Sequence, residues 1–372
     1  MAKSATRAVA LAAVAGVVAL APVPATAIDR WYSGWFFPTV QPVVTAALNV
    51  VPLAIFDAVL VASVMYVVWL LTMVARARPG TRVRRLGQSA VSALALCAVV
   101  YLWFAVLWGL NYRRTPLEAR FVRTTAQAQS TAVTSLGTRA VARVNALHTR
   151  AHAEGWTQEE WQDAGLRSAF ADTLQAIGHG PAVEPGRLKQ SVIGPYFRWT
   201  GVDGMVSPFT LEVLANPDLL PFERPFIAAH EWSHLAGYAD EAEASFVGWV
   251  TCVRAGIAAQ YSGWLFLLWQ VRGEVPAAER QAIDMALDAG PRADMAAVVA
   301  RLRRGASPQL RRVSWAAYDQ YLKANRVDEG VRSYSRVLEL LATARFDDDW
   351  VPEIKAQSRR QKAEGSRQKA QE

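Results

Sequence analysis

Pro225-Phe-Ile-Ala-Ala-His230-Glu231-Trp-Ser-His234-Leu-Ala-Gly237-Tyr-Ala-Asp240-Glu241-Ala-Glu243-Ala-Ser245-Phe246 is the stretch on which the reading of this chain turns. On a helix, residues four apart stand one above the other on a single face. His230 and His234 can therefore offer their imidazoles to one ion. Glu231 lies one step around the same helix, close enough to take a proton from a water at that ion without being a ligand, which is where a general base belongs. Ile227, Ala228 and Ala229 are apolar and mostly small, as a helix entering a core requires, and Pro225 suits a helix start.

The His-Glu-x-x-His pattern is that of zinc-dependent hydrolases and predicts one bound zinc ion. A catalytic zinc takes a third protein ligand and keeps an open position. Gly237 can end the first helix, and the acidic residues after it suit the N-terminus of a second. Asp240, Glu241 and Glu243 are all candidates. Asp240 stands where some secreted zinc proteases with an HExxHxxGxxD pattern place their third ligand, and Glu241 where glutamate-type zinc peptidases place theirs. The preference runs Glu241, then Glu243, then Asp240; a glutamate that is not a ligand is expected to hydrogen-bond a ligating histidine. Of the five histidines, His148 and His152 repeat the four-residue spacing without a glutamate between them and among polar residues, which reads as a solvated helix face. His179, in a Gly-His-Gly-Pro turn, reads as a loop residue.

At 372 residues the chain has room for membrane segments and one sizeable soluble domain. Its apolar residues, 52% of the total, are concentrated toward the N-terminus, which is a membrane signal. The formal charge of +8 is scattered over short arginine runs and the C-terminal tail, and with no recognised nucleic-acid-binding motif beside it nucleic acid is not expected as a partner. Two cysteines, Cys97 and Cys252, cannot make a disulfide framework and read as buried apolar fillers.

The organisation follows from this patterning. Residues 1–28 form a removable secretory signal or a first transmembrane helix, with Ala25-Thr26-Ala27 as a small-residue cleavage site. Residues 29–111 form a membrane region with spans at about 50–74 and 91–110. Its first part carries Trp31, Tyr32, Trp35, Phe36 and Phe37, an aromatic cluster suited to the membrane–water interface or to packing against the soluble domain. Arg76, Arg78, Arg82, Arg84 and Arg85 mark the loop between the spans as cytoplasmic, so the histidine motif is expected on the extracytoplasmic side. Residues 112–350 are the extracytoplasmic domain, mainly helical, with a helix start at Thr157 from a capping-box pattern and a strand-and-loop part over 181–222. A strand near Met205 is either an ordinary hairpin or an edge to which an extended peptide adds. The apolar run 247–271 reads as a core helix rather than a further span, and 351–372 as a basic disordered tail.

Taken in order, Asp29-Arg-Trp-Tyr-Ser, Asn111-Tyr112 with Pro116-Leu-Glu118, Ser207-Pro-Phe-Thr, the HExxHxxG block, Glu241-x-Glu243-Ala, Tyr261-Ser-Gly-Trp, Tyr321-Leu-Lys-Ala-Asn and Val331-Arg-Ser-Tyr334 resemble the bacterial membrane proteins grouped as domain of unknown function 3810. The resemblance runs from about Asp29 to Leu341. That family pattern has a basic residue at the place of Asp240 and an asparagine at that of Ser245. The resemblance implies a mainly α (α+β) chain in which transmembrane helices precede a zincin-like domain. Tyr261, Arg332 and Tyr334 enter as candidates for steadying an oxyanion because the family motifs contain them. The resulting expectation is a multi-pass protein of the cytoplasmic membrane. It would be a zinc metallopeptidase acting on an envelope protein or peptide, with Glu231 as base and His230, His234 and Glu241 or Glu243 on the metal. The alternatives are a zinc-binding scaffold without hydrolysis, and an amidase for a cell-wall or lipid-linked substrate.

Overall fold

The fold is built around two short helices that meet at right places in the core: α9, Arg224–Leu235, and α10, Glu241–Val253, in a computed structural model that describes residues 2–122, 129–157, 159–180, 182–330 and 336–355. Pro225 occupies the first turn of α9, where its missing N–H costs nothing. Every residue of α10 is buried, so this helix has no solvent face to keep polar. Gly248 is the reason the two can approach so closely. A Cβ there would lie 2.9 Å from the backbone nitrogen of His230.

Around this pair lie α6 (Gln129–Glu154), α7 (Ala164–Ala176) and α11 (Ile257–Glu274). The apolar run 247–271 is thus two buried helices rather than one, parted at Arg254, Ala255 and Gly256, and Trp249 meets Trp264 edge to face across them with ring centroids 5.2 Å apart. The start predicted at Thr157 is not a helix start. Its hydroxyl accepts from the Glu159 N–H in a local turn, and α7 begins later, where the Asp163 carboxylate accepts from the Leu166 N–H. After α11 come α12 (Ala277–Ala286), α13 (Ala289–Arg304), α14 (Pro308–Ala324) and α15 (Arg336–Thr343). Residues 356–372, read from sequence as a disordered tail, lie outside the described residues.

The strand-and-loop part carries a small sheet of β1 (Leu188–Lys189), β2 (Gly204–Val206) and β3 (Val213–Ala215) in the order β1-β3-β2. β2 is antiparallel to β3, with Met205 opposite Leu214, and is an edge strand. It packs against α9, and a short helix, α8 (Gly194–Thr200), precedes it.

Two helices are long and apolar enough to cross a membrane, α4 (Ile55–Ala75) and α5 (Arg82–Leu107). A third candidate is the sharply bent pair formed by α1 (Ala2–Leu20) and the run that follows it: α2 (Ala25–Ala27), a π-helical segment Ile28–Phe36, and α3 (Phe37–Asn49), bent by 109°. The first predicted span starts late because Pro52 sits in a turn ahead of α4, and the second starts early because α5 runs on through the arginines. Cys97 departs from expectation. It is exposed on α5, whereas Cys252 is buried as read. On a helix that crosses a bilayer an apolar side chain can face outward, because lipid solvates it as well as a core would.

The segment 29–49 divides by face. Trp31 and Trp35 are exposed, while Tyr32 and Phe37 are buried. On α3, the buried Gln41 and Asn49 donate to the carbonyls of Glu184 and Pro185, binding this helix to the strand region. The start of α4 is tied down by charge. Glu212 accepts from the backbone N–H groups of Ile55 and Phe56 and from Lys189 Nζ at 2.6 Å. Burial raises the Glu212 pKa, but the lysine and the two amides outweigh it and hold it below the ordinary value. Both side chains are 1% exposed, so removing one partner would cost about 3–5 kcal/mol by stranding the other charge. Asp57, the next residue, accepts from Ser191 Oγ and from the Val192 N–H.

Candidate metal centre

α9 ends in a Schellman turn: the Tyr238 N–H returns to the Ser233 carbonyl and the Gly237 N–H to the His234 carbonyl, with Gly237 at φ 85°. A side chain at Gly237 would strain this conformation and would also collide with Asn111 Oδ1, at 2.8 Å. The turn folds the chain back so that the Tyr238 carbonyl oxygen lies 2.7 Å from His234 Nδ1. That atom donates to the carbonyl, which leaves Nε2 facing the other way. On His230 the Ser245 hydroxyl, 3.3 Å from Nδ1, takes the same part.

Asp240 is the N-cap of α10, its carboxylate accepting from the N–H groups of Ala242 and Glu243. The cap starts α10 so that Glu241 points back at α9. Glu241 Oε2 lies 3.3 Å from His230 Nε2 and 3.4 Å from His234 Nε2, and the ligand atoms of the three residues fall within 4.8 Å of one another. Glu243 is not brought into this group. It is two residues further around the helix, and its Oε1 accepts from the Leu117 N–H at 2.5 Å. Asp240 faces Arg336, 3.4 Å away.

The electrostatics fit a cation. Burial opposes charge on both partners, yet the His234 and His230 rings hold the Glu241 carboxyl well below its ordinary value. Conversely, burial lowers the His234 pKa, and the Glu241 carboxylate overrides it to leave a value of about 9. Two convergent imidazole nitrogens and an ionised carboxylate are donors that could hold a divalent metal ion. Glu231 is beside them, 2% exposed, and its Oε2 is buried with no hydrogen-bond partner among the described residues. Burial pushes its carboxyl up and the two histidines pull it down, with the net shift upward. Gly204 of β2 makes the space for it, since a Cβ there would lie 2.5 Å from Glu231 Oε1.

Several side chains around the centre escaped the motif reading. Tyr318 of α14 donates to Glu241 Oε1 at 2.5 Å, the oxygen turned away from the histidines. Tyr321 stacks on Tyr318 and meets Phe104 of α5, with centroids 6.0 Å apart. Trp108, just past α5, presents its ring to His234 edge to face at 5.9 Å. Arg114 donates to the Gly237 carbonyl at 2.9 Å and lies over the Tyr238 ring. Of these, only Tyr321 stood in a motif of the resemblance, in Tyr321-Leu-Lys-Ala-Asn, and nothing in that motif links it to the centre. Of the residues proposed for an oxyanion, Tyr261 is turned elsewhere and donates to Asp294 at 2.5 Å. Arg332 and Tyr334 lie outside the described residues.

His148 and His152 correct the sequence reading. The face is only partly solvated: their rings lie 4.2 Å apart against Tyr261 and Asp294, with His148 half-buried and His152 exposed. The polar neighbours in sequence lie on other faces of α6, and the packing of α11 and α13 against the histidine face is not written in α6 itself. His179 is in a loop, as read, with its ring near Tyr238.

The architecture defines a class: a mainly helical protein with two or three candidate membrane spans and a buried His-His-Glu cluster set against the end of one of them. A family described as protein of unknown function (DUF3810) matches residues 32–342, and the chain belongs to that family. Comparison with curated proteins found no match, and comparison with solved structures found none.

Proposed function

We propose that this protein is a membrane-anchored zinc-dependent hydrolase of amide bonds, most simply a peptidase acting on an envelope or other extracytoplasmic protein or peptide. The observation that carries the reading is the convergence of His230 Nε2, His234 Nε2 and Glu241 on one point beside a buried Glu231 whose Oε2 has no hydrogen-bond partner among the described residues. Those three residues would hold the zinc. When bound, it supplies a Lewis acid that polarises a carbonyl and acidifies water. Glu231 is the base that accepts a proton and returns it to the departing amine. The Tyr238 carbonyl and Ser245 hydroxyl keep the two imidazoles turned to present Nε2, and Tyr318 holds Glu241 in place. β2, an edge strand against α9, offers backbone groups to an extended peptide. Arg76 and Arg78 after α4, with Arg82, Arg84 and Arg85 at the start of α5, support a cytoplasmic loop, with both helices leading to a domain on the far side of the cytoplasmic membrane.

A second reading is favoured by the wall that Trp108, Phe104 and Tyr321 build between the centre and the end of α5. An aromatic wall continuous with a span suits a substrate that arrives along the bilayer, so a lipid-linked amide is the alternative to a soluble peptide. The test is Glu231→Gln in the full chain purified in detergent. It is expected to keep zinc and to lose hydrolysis of a quenched-fluorescence peptide library and of lipid-linked peptides. A variant as fast as the parent protein on every substrate the parent cleaves would end the proposal.

A further inference from the structure

The geometry points to a second site for a divalent transition metal, of the zinc class, formed by His148, His152 and Asp294. Three helices meet there. His148 and His152 stand one turn apart on α6, Asp294 comes from α13, and Tyr261 from α11. His152 Nε2 is 2.8 Å and His148 Nε2 3.6 Å from the same Asp294 oxygen, and the three ligand atoms lie within 4.8 Å of one another.

Hydrogen bonding alone serves this arrangement poorly. Asp294 Oδ2 is approached by both imidazoles while already accepting from the Tyr261 hydroxyl at 2.5 Å. A cation satisfies both ring nitrogens and the carboxylate at once, and the phenol then has the task of orienting the carboxylate. The site is walled on all sides but the solvent-facing edge of His152. Asp294 and Tyr261 are buried, Trp156 meets the His152 ring edge to face at 4.8 Å, and Gly290 of α13 is pressed against His148. A Cβ on Gly290 would lie 2.3 Å from His148 Cε1, so the ring has its place only because that residue is glycine. Two imidazoles and one carboxylate, with His152 open to solvent on one side, suit zinc or a neighbouring divalent ion with water completing the shell. Thr149 follows His148 where the other centre has Glu231, so Glu231 has no counterpart at that position of α6. Its role is a clip that joins α6 to α13 while Tyr261 ties both to α11.

The experiment uses the full chain in detergent, loaded with zinc, freed of excess metal and analysed by mass spectrometry for bound ion. The parent protein is expected to retain two equivalents, and His148→Ala/His152→Ala one fewer. Asp294→Asn, which preserves size and packing, is expected to lose the same equivalent and guards against a misfolded double variant. Zinc is expected to raise the Tm of His230→Ala/His234→Ala through the second site, and that rise to vanish when Asp294→Asn is added. Equal metal in the parent and in a folded Asp294→Asn protein would overturn the inference. If instead His230→Ala/His234→Ala keeps the parent's full metal content, the hydrolase reading fails and this site stands by itself.

Discussion

Two clusters in this molecule share one local pattern, two histidines four residues apart on a helix and a carboxylate from another helix, yet their surroundings differ. At His230 and His234 the helix is enclosed, each ring is turned by a partner on its Nδ1, and a glutamate stands between them in sequence. At His148 and His152 the helix lies at the margin, the carboxylate is oriented by a phenol, and a threonine occupies the corresponding place. Spacing therefore says which atoms can meet. What surrounds them decides whether a base is at hand and how firmly the rings are aimed.

The contrast can be broken most forcefully at Glu231. Glu231→Gln is expected to lower the turnover rate by about 10²–10⁴-fold with zinc retained, since a positioned general base contributes that much. Gly204→Ala comes next. Its Cβ would displace Glu231, and misplacing a catalytic group by about 1 Å costs roughly 10²-fold, so kcat should fall while metal content stays constant. Tyr318→Phe releases one oxygen of Glu241 and should weaken zinc binding by about 10–100-fold, measured by competition with a chelator. The smallest effect is expected at the other cluster. Gly290→Ala pushes only His148 aside and leaves His152 and Asp294, so affinity for the second ion should drop by about tenfold and the first ion should be retained. If Tyr318→Phe and Gly290→Ala each altered both ions equally, the two clusters would not be independent centres.

The apolar runs of α4 and α5 were legible because a span is written in consecutive residues, and the capped helix pair because Pro225, Gly237 and Asp240 mark its turns. The boundaries slipped where composition and geometry part: arginines continue α5 as a helix, and Arg254 to Gly256 divide an unbroken apolar run. The helix start misplaced at Thr157 shows that a capping pattern competes with other local hydrogen bonds, and here Asp163 prevails.

By itself the sequence determined which residues can act together within one turn of helix: His230 with His234, Glu231 beside them, and the apolar length of two candidate spans. Only the tertiary structure decided that Glu241 faces the histidines while Glu243 turns to Leu117, that Tyr318 steadies Glu241 from a helix far along the chain, and that His148 and His152 find Asp294. Helical periodicity is a property of neighbours along the chain. Convergence of side chains from separate helices depends on how closely their backbones cross, and Gly248, Gly204 and Gly290 set that distance where no motif records it.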